Sequence, residues 1–255
     1  MIMRTPLRLT GVIIDRHPYK SSSIIAEAVT DRGTMSVLCR SAKKDGAGAE
    51  LSRVALLSLV VVPGREDLYT LSSASITRDH PSIHGSALKL SAVSYFFSLV
   101  KAVKSTDEER MLPLVDAALS AFEAAADETD ATDALLLSST VKLLYISGVL
   151  PKLDGCVVCD SPYADGFYSI VRGGYVCARC ADPVERKVAF PPAVQRAFSG
   201  LIRSPIADAV TFTDVPPALT LIVRRTIAAY AGVASKSAKA YDEIAAVYAV
   251  SARKH

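Results

Sequence analysis

Over the first eighty residues the apolar positions fall in five short runs, Leu7 to Asp15, Ser23 to Thr30, Gly33 to Arg40, Val54 to Val62 and Leu68 to Thr77. They are rich in Val, Ile, Leu and Thr and are separated by turn-forming or charged residues, which predicts strands. Five such strands suit a small barrel. In the third, Met35, Val37 and Cys39 alternate with Thr34 and Ser36, so a period of two puts Cys39 on the inner face as a small buried hydrophobe.

From Ser86 the period changes. Leu88, Ala92, Tyr95, Phe96, Leu99 and Val103 recur at three- and four-residue steps, the pattern of a helix with one apolar face. A second helix is expected from near Thr106, where Glu109 completes a Thr-x-x-Glu capping box, with Pro113 placed to kink or restart it. A third is expected from about Thr132 to Ser147, stopped by Gly148 and by Pro151 beyond it. Residues 191–203 and 216–235 read as two more, each opened by a Pro-Pro pair.

The 255 residues are 50% apolar, enough to bury a core and to divide into more than one unit. No run reaches the roughly 18 to 20 apolar residues of a membrane span, and Arg4, Pro6 and Arg8 interrupt the N-terminus where a secretory signal would be continuous. The net charge of +3 is unevenly spread. Lys and Arg outnumber Asp and Glu by 11 to 8 over residues 1–80 and by 8 to 4 over 191–255, whereas residues 81–150 carry 5 against 9. Two basic ends around an acidic middle raise the prospect of a polyanionic partner.

The most specific signal is a cysteine constellation. Cys156-Val-Val-Cys159 and Cys177-Ala-Arg-Cys180 are separated by seventeen residues, and Tyr168 to Val171 and Tyr175 to Cys177 can form a hairpin through Gly173-Gly174. That is the spacing of a zinc ribbon. Four thiolates fill a tetrahedron and leave no position for water or substrate, so one structural zinc per chain is expected. A redox switch that releases the metal is the competing reading. Five cysteines, an odd number, fit a disulfide framework poorly and an intracellular setting well.

Weaker signals point to no chemistry. His80 and His84 are four apart, but Pro81 disfavours helical geometry at His80, so a loop is expected there. Ser86 to Lys89 and Ser139 to Lys142 each match Ser-x-x-Lys without the companion motifs of an acyl-transfer site. No nucleotide-binding glycine loop is present. The His-x-Glu half of a zinc deaminase signature is also missing.

Three stretches carry a family resemblance. Gly11-Val-Ile-Ile-Asp-Arg-His-Pro-Tyr-Lys-Ser-Ser-Ser-Ile-Ile, the segment from Gly33 to Lys44, and Leu150-Pro-Lys-Leu-Asp-Gly-Cys-Val-Val-Cys resemble the opening hairpin, the strand into a basic loop, and the approach to the zinc turns of the RecO family of DNA repair proteins. The resemblance implies a multidomain α+β chain. Its parts would be an OB-fold barrel at 1–80, a helical domain at 81–150, an inserted zinc ribbon at 151–185 and the rest of the helical domain at 186–255. OB-folds bind oligonucleotides across strands 2 and 3 and the flanking loops. Here that surface would comprise Arg16, His17, Tyr19 and Lys20 in the first turn, Arg32 between strands, and Arg40, Lys43 and Lys44 after the third strand. With no tryptophan in the chain, base stacking falls to Tyr, Phe, His or Arg.

The implied activity is non-enzymatic. It consists of binding single- and double-stranded DNA, annealing complementary strands, including those coated by single-stranded DNA-binding protein, and, with RecR, promoting RecA loading. No membrane and no small-molecule substrate enter, and the location would be cytoplasmic and nucleoid-associated. A zinc-stabilised protein–protein adaptor and a redox-sensing chaperone are the alternatives.

Overall fold

The computed structural model describes residues 5–20, 22–40, 47–64, 68–103, 107–183, 187–212, 215–231 and 236–252. Five strands, β1 (Leu7–Tyr19), β2 (Ser23–Thr30), β3 (Gly33–Cys39), β4 (Ala55–Val62) and β5 (Leu68–Asp79), close into a barrel in the order β1-β2-β3-β5-β4. This is the OB-fold arrangement. All neighbours are antiparallel except β3 and β5. Leu9, Ile13, Ala26, Ala28, Val37, Cys39, Leu57 and Leu59 fill the interior, as the period of two requires. Leu51, just beyond the short helix α1 (Ala47–Glu50), joins that interior core.

Two strands are longer than their apolar runs, β5 by two residues and β1 by more. β1 continues four residues past Asp15, so Arg16, His17 and Tyr19 lie in the strand rather than in a turn. The register shifts between Ile13 and Asp15, so both Ile14 and Asp15 face outward. Beyond that bulge Arg16 pairs with Ala26, His17 with Ile25 and Tyr19 with Ser23. Backbone pairing to β2 does not depend on the hydrophobic signal, which is why polar residues extend the strand.

Helices follow. α2 (Pro81–Gly85) is a single short turn where a loop was expected, with Pro81 at its first position, where a missing N–H costs nothing. α3 (Ala87–Ala102) is capped by Ser86, whose Oγ accepts from the Lys89 amide. α4 (Glu108–Ala124) is capped by Asp107, which accepts from the Arg110 amide; the expected cap, Thr106, lies outside the described residues. α4 runs through Pro113, which sits on its exposed face. α5 (Thr129–Ile146) starts three residues earlier than the apolar pattern and stops at Gly148, whose φ of +70° suits glycine. α6 (Pro192–Arg203) and α7 (Pro217–Ala231) open at their Pro-Pro pairs.

A last helix, α8 (Lys236–Ala252), follows where one helix to residue 235 was expected. Its signal was in the sequence: Tyr241, Ile244, Ala245 and Tyr248 recur at helical spacing, and all pack on the core. The Tyr241 ring lies 6.4 Å from that of Tyr95, and its hydroxyl donates to Asp133 Oδ1 at 2.5 Å.

The barrel is not an independent bead. Val12, Ile14, Val29, Val54 and Leu56, outside the barrel core, belong to the same apolar cluster as α3, α4, α5 and the cysteine-bearing segment. No helix among the described residues is long and apolar enough to cross a membrane.

Candidate metal centre and nucleic-acid interface

The four cysteines converge on a small sheet of β6 (Gly166–Ser169), β7 (Gly174–Cys177) and β8 (Lys187–Ala189), in the order β7-β6-β8. The hairpin pairs Ser169 with Gly174, so Ile170 and Val171 belong to its turn. The first Cys-x-x-Cys turn is strapped across β7, because the Tyr175 amide donates to the Lys152 carbonyl at 3.0 Å and the Val157 amide to the Tyr175 carbonyl at 2.9 Å. Gly174 permits this approach, since a Cβ there would lie 2.6 Å from Val157 Cγ1. Within the turn the Asp160 amide donates to the Cys156 carbonyl at 2.8 Å, and Asp160 takes a φ of +56°. The second turn closes through the Cys180 amide on the Cys177 carbonyl, 3.0 Å.

All four Sγ atoms lie within 4.8 Å of one another. A tetrahedron with metal–sulfur bonds of about 2.3 Å has sulfur–sulfur edges of about 3.8 Å, and Cys159 and Cys177 stand 3.8 Å apart. None of the four is in a disulfide. Burial opposes ionisation of Cys156, but the amides of Cys177, Cys159 and Val158 point at its sulfur and hold the thiol down at about 6. Cys180 is pushed up to about 12, chiefly because its proton is shared with Cys159 and Cys177. A set in which one thiol ionises easily and another resists is what four sulfurs around one point do when no cation balances them. The donor set and its spacing therefore fit a tetrahedral metal ion held by Cys156, Cys159, Cys177 and Cys180, with no position left open. Aromatic packing braces the sheet: Tyr163, Tyr175 and Phe190 are in ring contact, and Tyr168 joins its hydroxyl to Thr226 Oγ1 of α7 at 2.8 Å.

On the barrel, the register sorts the expected DNA-contacting residues. Ile24 pairs with Cys39 at one end of β2 and Thr30 with Gly33 at the other. Arg16, His17, Tyr19, Lys20 and Arg40 therefore gather at the first end, whereas Arg32 sits at the second, roughly 20 Å of strand away. Lys43 and Lys44 lie outside the described residues. Lys20 takes a φ of +54° in the β1–β2 turn, and its Nζ stands 5.2 Å from the centroid of the Tyr19 ring, which is 38% exposed. Arg16 makes no ion pair among the described residues.

His17 is differently placed. Its Nε2 lies 3.1 Å from Asp15 Oδ2, 3.7 Å from Glu27 Oε1 and 3.2 Å from Lys101 Nζ of α3. Lys101 in turn lies 2.6 Å from Asp15 and 2.9 Å from Glu27. Burial works against the Asp15 charge, yet Lys101 and the Arg16 amide hold its carboxyl below the usual value, while Asp15 raises Lys101 in return. This ion cluster was not legible in the sequence. Alternation of Glu27 between the inward Ala26 and Ala28 marks it as outward, but nothing local names Lys101 as its partner.

The remaining signals resolve structurally. Ser86 Oγ caps α3 and donates to Asp127 at 2.5 Å, and Lys89 Nζ donates to Ser82 Oγ and to the Ala125 carbonyl at the end of α4. Lys142 Nζ donates to the Ile202 carbonyl in the last turn of α6. Both lysines of the Ser-x-x-Lys matches thus cap helix C-termini, where a cation is favoured, with Nζ bonded to backbone carbonyls of other helices. His84 Nε2 accepts from the Val54 amide at 2.9 Å.

The family model for the C-terminal part of recombination protein O matches residues 84–234, more than half of the chain. A DNA repair protein RecO of Exiguobacterium sibiricum is 27% identical over 244 residues, covering 92% of this chain and 95% of the relative. One from Anaeromyxobacter sp. strain K is 27% identical over 220 residues, 83% of this chain and 85% of the relative. Another, from Exiguobacterium sp. AT1b, is 26% identical over 176 residues, 68% and 69% of the two chains. With α3 to α7 and the four-cysteine sheet inside the matched segment and a closed OB-fold barrel ahead of it, the chain belongs to the RecO family.

Proposed function

We propose that this chain binds single- and double-stranded DNA on its barrel, anneals complementary strands without catalysis, and with RecR promotes RecA loading on strands coated by single-stranded DNA-binding protein. Family membership supports a role in DNA repair, the role for which the relatives are named. The observation that carries the finer reading is the grouping of Arg16, Tyr19, Lys20 and Arg40 at one end of the OB-fold barrel. Cations there neutralise phosphates and release counterions, and a half-exposed aromatic ring offers a stacking face to any base. Such contacts align two strands without reading sequence.

Annealing makes and breaks no covalent bond, so the reading requires no catalytic group. The metal is zinc in this reading, one per chain. It locks the geometry of residues 151–183 and supplies no reactive water, as four thiolates complete its shell. A cytoplasmic, nucleoid-associated location follows from the substrate. The test is an annealing assay on the purified, zinc-loaded chain with complementary oligonucleotides, with and without ATP. Annealing at the same rate in both supports the reading; no annealing at low salt overturns it.

A further inference from the structure

Between the end of β1 and the exposed side of α3 runs a cleft of about 700 Å³, within the about 300–1,000 Å³ range of sites that enclose a small organic ligand. It opens beside Arg16 and His17, so it continues the barrel surface assigned to DNA. Its walls combine three kinds of group. Arg16, Arg53 and Lys101 line it; Arg53 is paired with Asp79 and Lys101 with Asp15 and Glu27, which leaves Arg16 as the lining cation without an ion pair among the described residues. Leu90, 36% exposed, and Pro18 present apolar faces.

Serine hydroxyls make the third. Ser52 Oγ donates to the Ala49 carbonyl at 2.6 Å, and Ser94 Oγ to the Leu90 carbonyl at 2.7 Å. With their protons committed to the backbone, these oxygens meet the cleft as acceptors. Every DNA base has at least one N–H donor on its Watson–Crick edge, so such acceptors serve any base, but only when it is unpaired.

From these features we infer that the cleft receives an unpaired nucleotide of single-stranded DNA, with its phosphate at Arg16, its base against Leu90 and its pairing edge toward Ser52 and Ser94. The inference rests on the proposed DNA-binding role and adds a strand preference to it. A base pair has already used the edge that the serines accept from, so the cleft discriminates single strands from duplex even though the barrel cations do not. For annealing, such a site would keep a base out of the stack until the complementary base takes its edge.

The experiment uses the full zinc-loaded chain, a fluorescein-labelled oligothymidylate and a blunt random duplex of equal length. Ser94→Trp fills the cleft from an exposed helix position, and Leu90→Asp places a negative charge against the base. Each is expected to weaken oligothymidylate binding roughly tenfold, the loss of one stacked base, and to change duplex binding by less than about twofold. A second measurement needs no variant: an oligonucleotide carrying 4-thiothymidine, irradiated on the parent protein, should form adducts within residues 87–102. Folded variants that bind single strands normally, or adducts confined to the barrel, overturn the inference while leaving the DNA-binding role standing. A parent protein that binds neither probe overturns both.

Discussion

Lys101 Nζ lies 2.6 Å from Asp15 Oδ2, so one ammonium on α3 is tied to a strand 86 residues earlier in the chain. Glu27 and His17 complete the cluster, which sits at the border between the barrel surface covered by α3 and the surface left open. Because both partners are about one third exposed, solvent screens the pair, and Lys101→Ala should cost only about 1 kcal/mol. Lys101→Glu should cost more, since it sets a third carboxylate beside Asp15 and Glu27 and leaves none neutralised. Urea denaturation of the three proteins at neutral pH checks the order. The Asp15 carboxyl is held below its ordinary value of 3.8 in the folded chain, so the unfolded chain takes up that proton first. The Asp15 contribution is therefore present above pH 3.8 and is lost as pH falls through the lower folded value, a loss absent from Asp15→Asn.

The metal centre predicts a segmental defect. Purified reduced protein should contain about one zinc per chain. Cys156→Ser with Cys159→Ser removes half of the donor set and should abolish stoichiometric zinc, and residues 151–183 should lose amide protection in hydrogen exchange. The barrel interior, built from a separate set of buried side chains, should keep its protection. Full zinc content in the double variant would remove the basis for the site.

The DNA surface predicts an uneven response among cations of equal charge. Lys20, Lys43 and Lys44 replaced together by Glu should lower single-strand affinity at least tenfold and flatten the logarithmic salt slope by roughly 0.7 for each phosphate no longer neutralised. Tyr19→Ala should weaken binding by about 1 to 3 kcal/mol and leave the salt slope nearly unchanged. Arg40→Glu should weaken binding more than Arg32→Glu, because Arg32 is at the far end of β2. Lys239→Glu, on the exposed side of α8, is the control and should change little. Equal losses of affinity for Arg32→Glu and Arg40→Glu in fluorescence titrations would move the binding face.

His80 predicts acid sensitivity. The ring is 1% exposed, neither nitrogen has a hydrogen-bond partner among the described residues, and burial pulls its pKa below 6.5 despite Glu123, Asp116 and Asp79 nearby, with Arg78 acting in the same direction as burial. The folded chain resists the proton that the unfolded chain accepts, so the stability held above pH 6.5 should fall as pH drops toward the folded pKa. His80→Gln should flatten the change in melting temperature between about pH 7 and 5 relative to the parent, the window in which a histidine titrates. An unchanged slope would show that His80 is not the group responsible.

The sequence by itself determined what depends on neighbours along the chain. Alternation placed Cys39 and Val37 inside the barrel, Pro-Pro pairs opened α6 and α7, and two Cys-x-x-Cys turns named the four thiols that converge, because each of these follows from local dihedral preference or from thiols a few residues apart. Tertiary structure decided what depends on register and docking. Polar residues after Asp15 stayed in β1 because β2 supplied hydrogen-bond partners, which moved Arg16, His17 and Tyr19 from a turn onto a strand. Strand register put Arg32 far from Arg40, although only seven residues of chain lie between them. Lys142 became the cap of a helix sixty residues away, and Lys101 became the cation of a barrel cluster. A charge has no period, and its partner is set by where the backbone carries it.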